Sequence, residues 1–532
     1  MSKMLKSSGA MAAATLISRI LGMVREMVYY SFMGVGWVND SFQLAFTIPN
    51  LFRRLLGEGA LTAAFIPIFK EKEKLHGEEE MWRASNAVIS GLIVAASIII
   101  AIVLVGVSAA LMAHQFDGKT ELMLRLLRIM FPYMLLVCLA ACFMGMLNAR
   151  GHFFIPAMGA AMLNVVMISS VIWFAPRFAT DLPKDERLPH QIFALAIGVL
   201  AAGVAQAAFQ LPTLYKDGFR YRWVSPFRDE TVRRVIYRMI PGAIGVALFQ
   251  INVALVQLLG FKFGNGIVSS FSGGVRLMEL PQGMFGISLA TYLLPTLSAL
   301  ATDKNYPEFR KTLRHGISTL VFLNLIAAML LVVLAEPIVR LLFERGAFHA
   351  DATQRVSLAL ICLAPGLVAF SAANIFARAF FALGDTKTPM KISIACLILN
   401  LLFAVGLMEL FQEGYKQGGL GLANTITSIC NVSLLTFALR KKLGKLEMGE
   451  LRATFVPLGI AVVASGLVAW GSWHLWERQL GHHNVALKIG AVFVPAILAG
   501  TIYWIIATLG KVPAAKEILD FVFRQVSEGS EL

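Results

Sequence analysis

Charged residues are scarce in this 532-residue chain, since Asp, Glu, Lys and Arg make up only 15% of it while hydrophobic residues make up 57%. A soluble domain carries about 25% charged residues, so the composition excludes a soluble globular fold and favours a polytopic helical membrane protein. The net charge of +15 would suggest nucleic acid in a soluble chain. Here the basic residues lie in short loops between apolar segments, where membrane topology explains them, and no nucleic-acid partner is expected.

Cysteines and catalytic motifs are also scarce. The five cysteines all lie within apolar runs, none forms a CxxC pair, and none has a histidine at ligand spacing. The sequence contains no GxxxxGK[ST], HExxH or GxSxG motif, and its nine histidines are scattered. We therefore expect no enzymatic activity, no cofactor and no metal site.

Long apolar runs, by contrast, occur throughout the chain. Taking ~20 apolar residues as one crossing, we predict an all-α polytopic membrane protein with about fourteen transmembrane helices. The predicted spans lie near residues 9–33, 41–69, 85–113, 124–148, 154–175, 190–214, 232–261, 266–300, 312–334, 353–381, 389–411, 418–440, 453–474 and 486–509.

A repeated proline and glycine spacing divides the chain into two halves. Pro132 precedes Gly151 by 19 residues, Pro365 precedes Gly384 by 19, and in each copy a proline follows the glycine five residues later. We predict two pseudo-symmetric six-helix bundles, related by an axis along the membrane normal, plus two C-terminal helices. The predicted boundaries are 1–215 for the N-terminal bundle, 216–231 for a basic linker, 232–445 for the C-terminal bundle, and 446–532 for the two extra helices and tail.

The basic residues also predict the orientation of the chain. Lys and Arg are retained in cytoplasmic loops, and most of them fall on one side if the N-terminus is inside. Both termini and the linker around residues 215–238 are therefore predicted to be cytoplasmic, whereas the loops at 34–39 and 177–190 face out. The charge of the linker suggests contact with anionic headgroups, so membrane lipids are an expected partner.

Ionisable residues interrupt the first two predicted spans and recur in the eighth. They are Arg19, Arg25, Glu26, Arg53, Arg54 and Glu58, followed by Arg276 and Glu279. An intramembrane charge is costly unless it faces a partner or a wet cavity, and arginines there suit a phosphate or pyrophosphate, whose oxygens a guanidinium binds bidentately. The alternative is that the charges sit at helix ends and reach the headgroups.

We predict that an anionic substrate is bound by Arg19, Arg25, Arg53 and Arg276. Supporting or ion-pair roles are assigned to Glu26, Asp40, Arg54, Glu58 and Glu279, although a plain ion pair also explains each acid. Hinge roles in bent helices are assigned to Gly57, Gly59, Pro281, Gly283 and Gly286, with close helix packing as the alternative for the glycines.

Five segments together resemble the MurJ/MviN family of the multidrug/oligosaccharidyl-lipid/polysaccharide exporter superfamily. They are SRILGMVRE, NDSFQLAFTIPNLFRRLLGEGALTAAFIPIF, RLMELPQG, LFERGAFHADAT and GDTKTPMKI. The resemblance implies a flippase of the bacterial inner membrane that moves lipid II, the undecaprenyl-pyrophosphate-linked peptidoglycan precursor, from the cytoplasmic to the outer leaflet by alternating access. It also implies a role in cell-wall biogenesis and cell shape, with lipid II and cell-wall synthesis proteins as partners.

The resemblance carries over to individual residues. It implies that Arg19, Arg25, Arg53 and Arg276 are cavity arginines, that Asp40, Glu58 and Glu279 are family acidic positions, and that the two helices after Arg452 form a groove for the polyprenyl tail. Many members have an Asp where this chain has Val275. That departure leaves Glu279 as the expected local partner of Arg276.

Three alternatives stay open beside this interpretation. A flippase for another polyprenyl-linked oligosaccharide would have the same arginines. A cation-coupled drug antiporter of the same superfamily should instead present carboxylates to its substrate. A membrane-embedded glycosyltransferase would need a large polar catalytic loop, and the predicted outside loops are short.

Overall fold

The computed structural model of the protein describes residues 2–52, 61–444, 446 and 449–517. Over those residues the regular secondary structure is helical, without a strand. The chain forms two compact units, residues 1–268 with 345–348 and residues 269–344 with 349–532. Each unit has its own buried apolar core.

The first unit is built from eight α-helices in its described residues. They are α1 (Ser2–Met33), α2 (Trp37–Phe52), α3 (Leu61–Ala113), α4 (Gly118–Met130), α5 (Tyr133–Ala149), α6 (Phe154–Ser169), α7 (Lys184–Lys216) and α8 (Glu230–Phe263). A π-helical turn, Ser170–Phe174, extends α6. One core cluster includes Phe42 and Leu126, and a second includes Trp82 and Phe219.

The second unit begins inside the next helix, at Ser269. Its helices are α9 (Ile267–Pro281), α10 (Ser288–Thr302), α11 (Tyr306–Val333), α12 (Ala335–Phe343), α13 (Ala350–Leu363), α14 (Leu367–Ala382), α15 (Lys387–Met408), α16 (Gln417–Leu443), α17 (Gly449–Gln479) and α18 (Val485–Leu509). The last two helices pack on each other and on α11 and α12. There the Tyr503 hydroxyl donates to the Phe322 carbonyl at 2.9 Å.

The predicted fold class, an all-α polytopic membrane protein, is confirmed. Ten helices in the described part of the chain are long and apolar enough to cross a membrane, and α4 with α5, bent by 42°, makes an eleventh. These eleven match eleven of the predicted spans. The other three correspond to the charged α1, the 16-residue α2 and the short apolar stretch Gln250–Phe263 of α8. The total of fourteen stays a prediction.

The charged segment between the second and third predicted spans is helical rather than a loop. It belongs to α3, which is interrupted at Gly77, where φ is 84° and only glycine is unstrained. Lys and Glu are good helix formers, and the ion pairs Lys70–Glu73 and Arg83–Glu80 support the helix on either side of the break.

The helix–helix corners at the two repeated glycines, Gly151 and Gly384, have the same backbone geometry. Gly151 and Gly384 both have positive φ, 89° and 72°, and the next residue in each case donates its N–H five residues back, as in a Schellman motif. At the second corner Asp385 accepts hydrogen bonds from Thr388 and Lys442. Burial raises the pKa of Asp385, but these bonds outweigh it and lower the pKa to about 2. The carboxylate therefore stays charged at physiological pH.

Helix α8 packs within the first unit, against α2 and α3. The domain boundaries predicted from the repeat, which assign this helix to the second bundle, stay a prediction. The non-helical segment between α7 and α8 covers 217–229, close to the predicted linker at 216–231.

Candidate functional site

Arg25 is held inside the first unit by two neighbouring side chains. Its Nη2 donates to Glu26 Oε1 at 2.6 Å, and its Nη1 donates to Asn164 Oδ1 of α6 at 3.1 Å. The Arg25 and Glu26 side chains are only 13% and 12% exposed. Asn164 is itself oriented, because its Nδ2 donates to the Ser18 carbonyl at 3.2 Å. The guanidinium plane is therefore fixed by contacts from two helices.

The local chemistry explains how α1 tolerates this cation. Glu26 supplies a countercharge, and the Tyr29 ring lies 5.5 Å from the Arg25 Cζ atom, a cation–π contact. The Nε atom of Arg25 is buried and has no hydrogen-bond partner among the described residues. An unmade hydrogen bond of this kind costs about 1–3 kcal/mol, so this donor could still bind a ligand oxygen.

Arg19 has a different environment on the same helix. Its side chain is exposed, and no carboxylate in the part of the chain that the structure describes forms an ion pair with it. The structure thus gives α1 one fixed arginine and one exposed arginine six residues before it.

The second unit carries its own arginine in α9. Arg276 Nη1 donates to Glu279 Oε2 at 2.9 Å, and both side chains are 41% exposed. The two residues are three positions apart, so they lie on one face of the helix. This ion pair leaves both groups accessible from one side.

Asp40 lies in a third and separate environment, within the first unit. It is fully buried, 3.4 Å from Lys119 Nζ, and accepts the Gly266 N–H at 2.6 Å. Lys119 in turn donates to the carbonyls of Phe261 and Gly264, at 2.8 and 2.7 Å. Asp40 and Lys119 therefore fasten the segment after α8 onto α2 and α4. The supporting role predicted for Asp40 beside the arginines stays a prediction.

The predicted hinge in the second unit coincides with irregular helix. A π-helical stretch, Gln282–Ile287, follows Pro281 and contains Gly283 and Gly286, both buried. A Cβ atom on Gly286 would lie 2.6 Å from Ser371 Oγ and 2.8 Å from Ser371 Cβ. Close packing against α14 is thus one reason for a glycine at 286, while the hinge role stays a prediction.

Five of the predicted residues lie outside the part of the chain that the structure describes: Arg53, Arg54, Gly57, Glu58 and Gly59. No cluster of three or more His, Cys, Asp or Glu side chains suited to a metal ion occurs in the described ranges. Four of the five cysteines are buried and all five are free thiols.

Sequence reasoning missed two residues that organise these sites, Asn164 and Lys119. Asn164 is a polar residue inside an apolar helix, and that contrast was an available signal. Lys119 stands at the start of α4 and looks like an ordinary cationic residue at a membrane surface. Only the tertiary structure shows that it is mostly buried against Asp40.

Comparison with solved structures defines the class of protein. The chain superposes on a structure of "Lipid II flippase MurJ, inward closed conformation" with a TM-score of 0.72 and 22% identity, covering 94% of this chain and 98% of that one. It superposes on a multidrug resistance MATE family transporter of the MOP superfamily, in an inward-facing conformation, with a TM-score of 0.64 and 13% identity, covering 82% and 98%. The chain therefore has the fold shared by these two structures.

Relatives of known sequence define the family. A "Probable lipid II flippase MurJ" from Vibrio cholerae is 32% identical over 501 residues, 90% of this chain and 92% of the relative. A "Lipid II flippase MurJ" from Burkholderia cenocepacia is 32% identical over 466 residues, 86% and 88% of the two chains. The sequence model of the family "Lipid II flippase MurJ" matches residues 29–489. The chain belongs to the lipid II flippase MurJ family, a family of multi-pass membrane transporters rather than enzymes, as the sequence motifs predicted.

Proposed function

We propose that this protein translocates lipid II from the cytoplasmic to the outer leaflet of the bacterial inner membrane. The observation that carries the proposal is the Arg25 site, a permanent cation fixed inside an apolar helix of a chain that belongs to a lipid II flippase family. The pyrophosphate of the lipid is the part of the substrate that such a cation can recognise.

The proposed chemistry is binding without bond breaking. Glu26 and Asn164 hold the Arg25 guanidinium in place, so little side-chain entropy is lost when a pyrophosphate oxygen arrives. Arg19 offers an exposed second cation on the same helix, and Arg276 offers a third in the second unit. Arginine suits this role because it keeps its charge and its planar donors when water is removed.

The proposed cycle is alternating access. A polar head as large as a disaccharide-pentapeptide cannot cross ~30 Å of hydrocarbon unaided, so it must travel in a hydrated path while the polyprenyl tail stays in lipid. A substrate shifts a conformational equilibrium only by binding its two states differently. Tighter binding of the pyrophosphate by Arg25 in one state would supply that difference, and the π-helical stretch after Pro281 would let the chain bend between α9 and α10.

Transport by purified protein in proteoliposomes tests the function. We expect Arg25→Ala to lower the rate of lipid II translocation at least about tenfold, since a hydrogen bond to a charged group contributes about 1.5–3 kcal/mol. Arg25→Lys keeps the charge but loses the planar fork, so it should also lower the rate. The matched control is Arg478→Ala, which removes an exposed arginine from the last turn of α17 and should leave the rate unchanged.

Two outcomes would count against the proposal. Full translocation by a normally folded Arg25→Ala variant would show that Arg25 does not bind the substrate. Equal rates for lipid II and for a polyprenyl-pyrophosphate carrying an unrelated oligosaccharide would favour the alternative flippase, because the glycan and peptide would then not be recognised.

A further inference from the structure

The segment between α7 and α8, residues 217–229, is non-helical and contacts α3, and we name it the linker strap. Three polar contacts fasten its backbone and one of its side chains to α3. Asn86 Nδ2 donates to the Arg220 carbonyl at 3.0 Å, the Val224 N–H donates to Ser90 Oγ at 3.4 Å, and Ser90 Oγ lies 3.2 Å from the Tyr221 hydroxyl. The strap is therefore positioned by specific bonds rather than by its ends alone.

Apolar packing fixes the strap at two further points. Phe219 is 1% exposed, and its ring centroid lies 5.6 Å from that of Trp82. Further along, Pro226 lies so close to α3 that a Cβ atom on Gly91 would be 3.3 Å from it. One face of the strap is thus buried, which determines which side chains the opposite face presents.

The two acidic side chains of the strap each contact a side chain outside it. Asp217 lies 3.1 Å from His152 Nε2. Asp229 lies 3.3 Å from Arg83 Nη1 and caps α8 by accepting the N–H groups of Thr231 and Val232. Asp229 therefore has its charge countered by Arg83, and Asp217 contacts a side chain outside the strap.

The cationic side chains have the opposite arrangement. Arg220, Arg222 and Arg228 are exposed. Arg220 donates to the carbonyls of Tyr215 and Phe219, which carry no charge that could neutralise it. Within the described residues, no carboxylate forms an ion pair with Arg222 or Arg228. The outer face of the strap is consequently cationic.

Large aromatic residues are interleaved with these arginines. Tyr221, Trp223 and Phe227 are 43%, 58% and 77% exposed. Exposed aromatic rings beside cations are costly in water and typical of the membrane interface, where rings sit at headgroup level and arginines contact anionic lipid. The strap joins Lys216, at the end of one candidate span, to the first residue of α8, so it starts where a helix leaves the membrane.

We propose that the outer face of the linker strap binds the headgroups of anionic phospholipids in the membrane surface, through Arg222 and Arg228 with Trp223 and Phe227 as interfacial anchors. The partner is identified by charge complementarity and by the amphipathic rings. Because α3 holds the strap, this contact fixes the membrane position of the α7–α8 connection. The proposal concerns a lipid other than the transported one and is independent of the proposed transport function.

Site-specific quenching in nanodiscs tests the proposal. The probe is an environment-sensitive dye on Ser225→Cys, an exposed position between the two anchors, in the full-length protein. Wild-type protein carried through the same labelling supplies the background from the natural cysteines. We expect brominated phosphatidylglycerol to quench the dye at least about twofold more than an equal amount of brominated phosphatidylcholine, because the arginines concentrate anionic lipid near the surface. Raising the salt from 0.1 M to 1 M, which shortens the Debye length from about 10 Å to about 3 Å, should remove this preference.

Matched charge variants make the test specific. Arg222→Gln with Arg228→Gln should abolish the preference for phosphatidylglycerol. The control, Arg440→Gln with Lys441→Gln, removes two exposed cations from the last turn of α16 and should retain it. Equal quenching by the two lipids, or an unchanged preference in the Arg222/Arg228 variant, would overturn the proposal. A dye that neither lipid quenches would also overturn it, because the strap would then lie away from the membrane surface.

Discussion

Two neighbouring side chains, Glu26 and Asn164, hold the Arg25 guanidinium in place within α1. Glu26 cancels its charge, but a carboxylate alone leaves the guanidinium free to rotate about the ion pair. The Asn164 amide adds a neutral acceptor from α6 and is anchored by the Ser18 carbonyl. Breaking a buried ion-pair network by removing one member typically costs about 3–5 kcal/mol, and loss of a neutral partner costs about 1–3 kcal/mol.

Asn164 is therefore predicted to be a positioning residue for Arg25. Asn164→Leu should lower the thermal unfolding midpoint and the rate of lipid II translocation, because Arg25 Nη1 loses its acceptor. Asn164→Asp keeps an oxygen acceptor and should retain most of the translocation rate. The control is Asn424→Leu, since the Asn424 amide donates only to the Leu420 carbonyl of its own helix. The positioning role is wrong if Asn164→Leu translocates lipid II as fast as Asn424→Leu.

Residue types predicted the chemistry of this site better than its pairings. Intramembrane arginines at 19, 25 and 276 were evident from the sequence because charge in an apolar run is a strong signal. The pairing of Arg25 with Glu26 was not evident from the sequence, since adjacent residues on a helix usually point in different directions. It accompanies the packing of α1 against α6, which no local pattern encodes.

At the scale of elements, backbone features that depend on one or two residues were the most predictable. The proline and glycine spacing anticipated the matching corners at Gly151 and Gly384, because a positive φ is a local requirement. The helical conformation of the charged segment on both sides of Gly77 was not anticipated. The segment has the helix propensity of Lys and Glu, but the span prediction rested on apolar runs and therefore left it between two spans.

The π-helical stretch between α9 and α10 yields a prediction about packing. Gly286→Ala should lower the thermal unfolding midpoint of the purified protein, since its Cβ would overlap the Ser371 side chain. Adding Ser371→Gly should recover part of the loss by removing the obstructing atoms. The control is Gly106→Ala, where a Cβ would meet nothing within 4 Å and should stabilise the helix by up to ~1 kcal/mol. An unchanged midpoint for Gly286→Ala would favour hinging over packing as the reason for this glycine.

For the whole molecule, composition and hydropathy were sufficient to predict an all-α multi-pass fold. Most span positions followed from apolar runs of about 20 residues, which reflect bilayer thickness and need no tertiary information. The membership of α8 in the first unit could not be predicted in this way. The position of α8 depends on contacts of Asp40 and Lys119 with its C-terminal end and the residues that follow. These contacts join residues more than 130 positions apart in the sequence.

The orientation of the chain is the last prediction, and it belongs to the molecule as a whole. Lys and Arg are retained on the cytoplasmic side, and the linker strap presents exposed arginines, while its two acids contact Arg83 and His152. The strap should therefore be cytoplasmic, together with both termini, and the turn before α7 should face out. A membrane-impermeant thiol reagent applied to spheroplasts should label Thr180→Cys at once, because Thr180 is exposed in that turn. It should label Ser225→Cys only after the membrane is permeabilised. Labelling of Ser225→Cys but not of Thr180→Cys in sealed spheroplasts would reverse the assignment for every loop, since each helix crossing fixes the next.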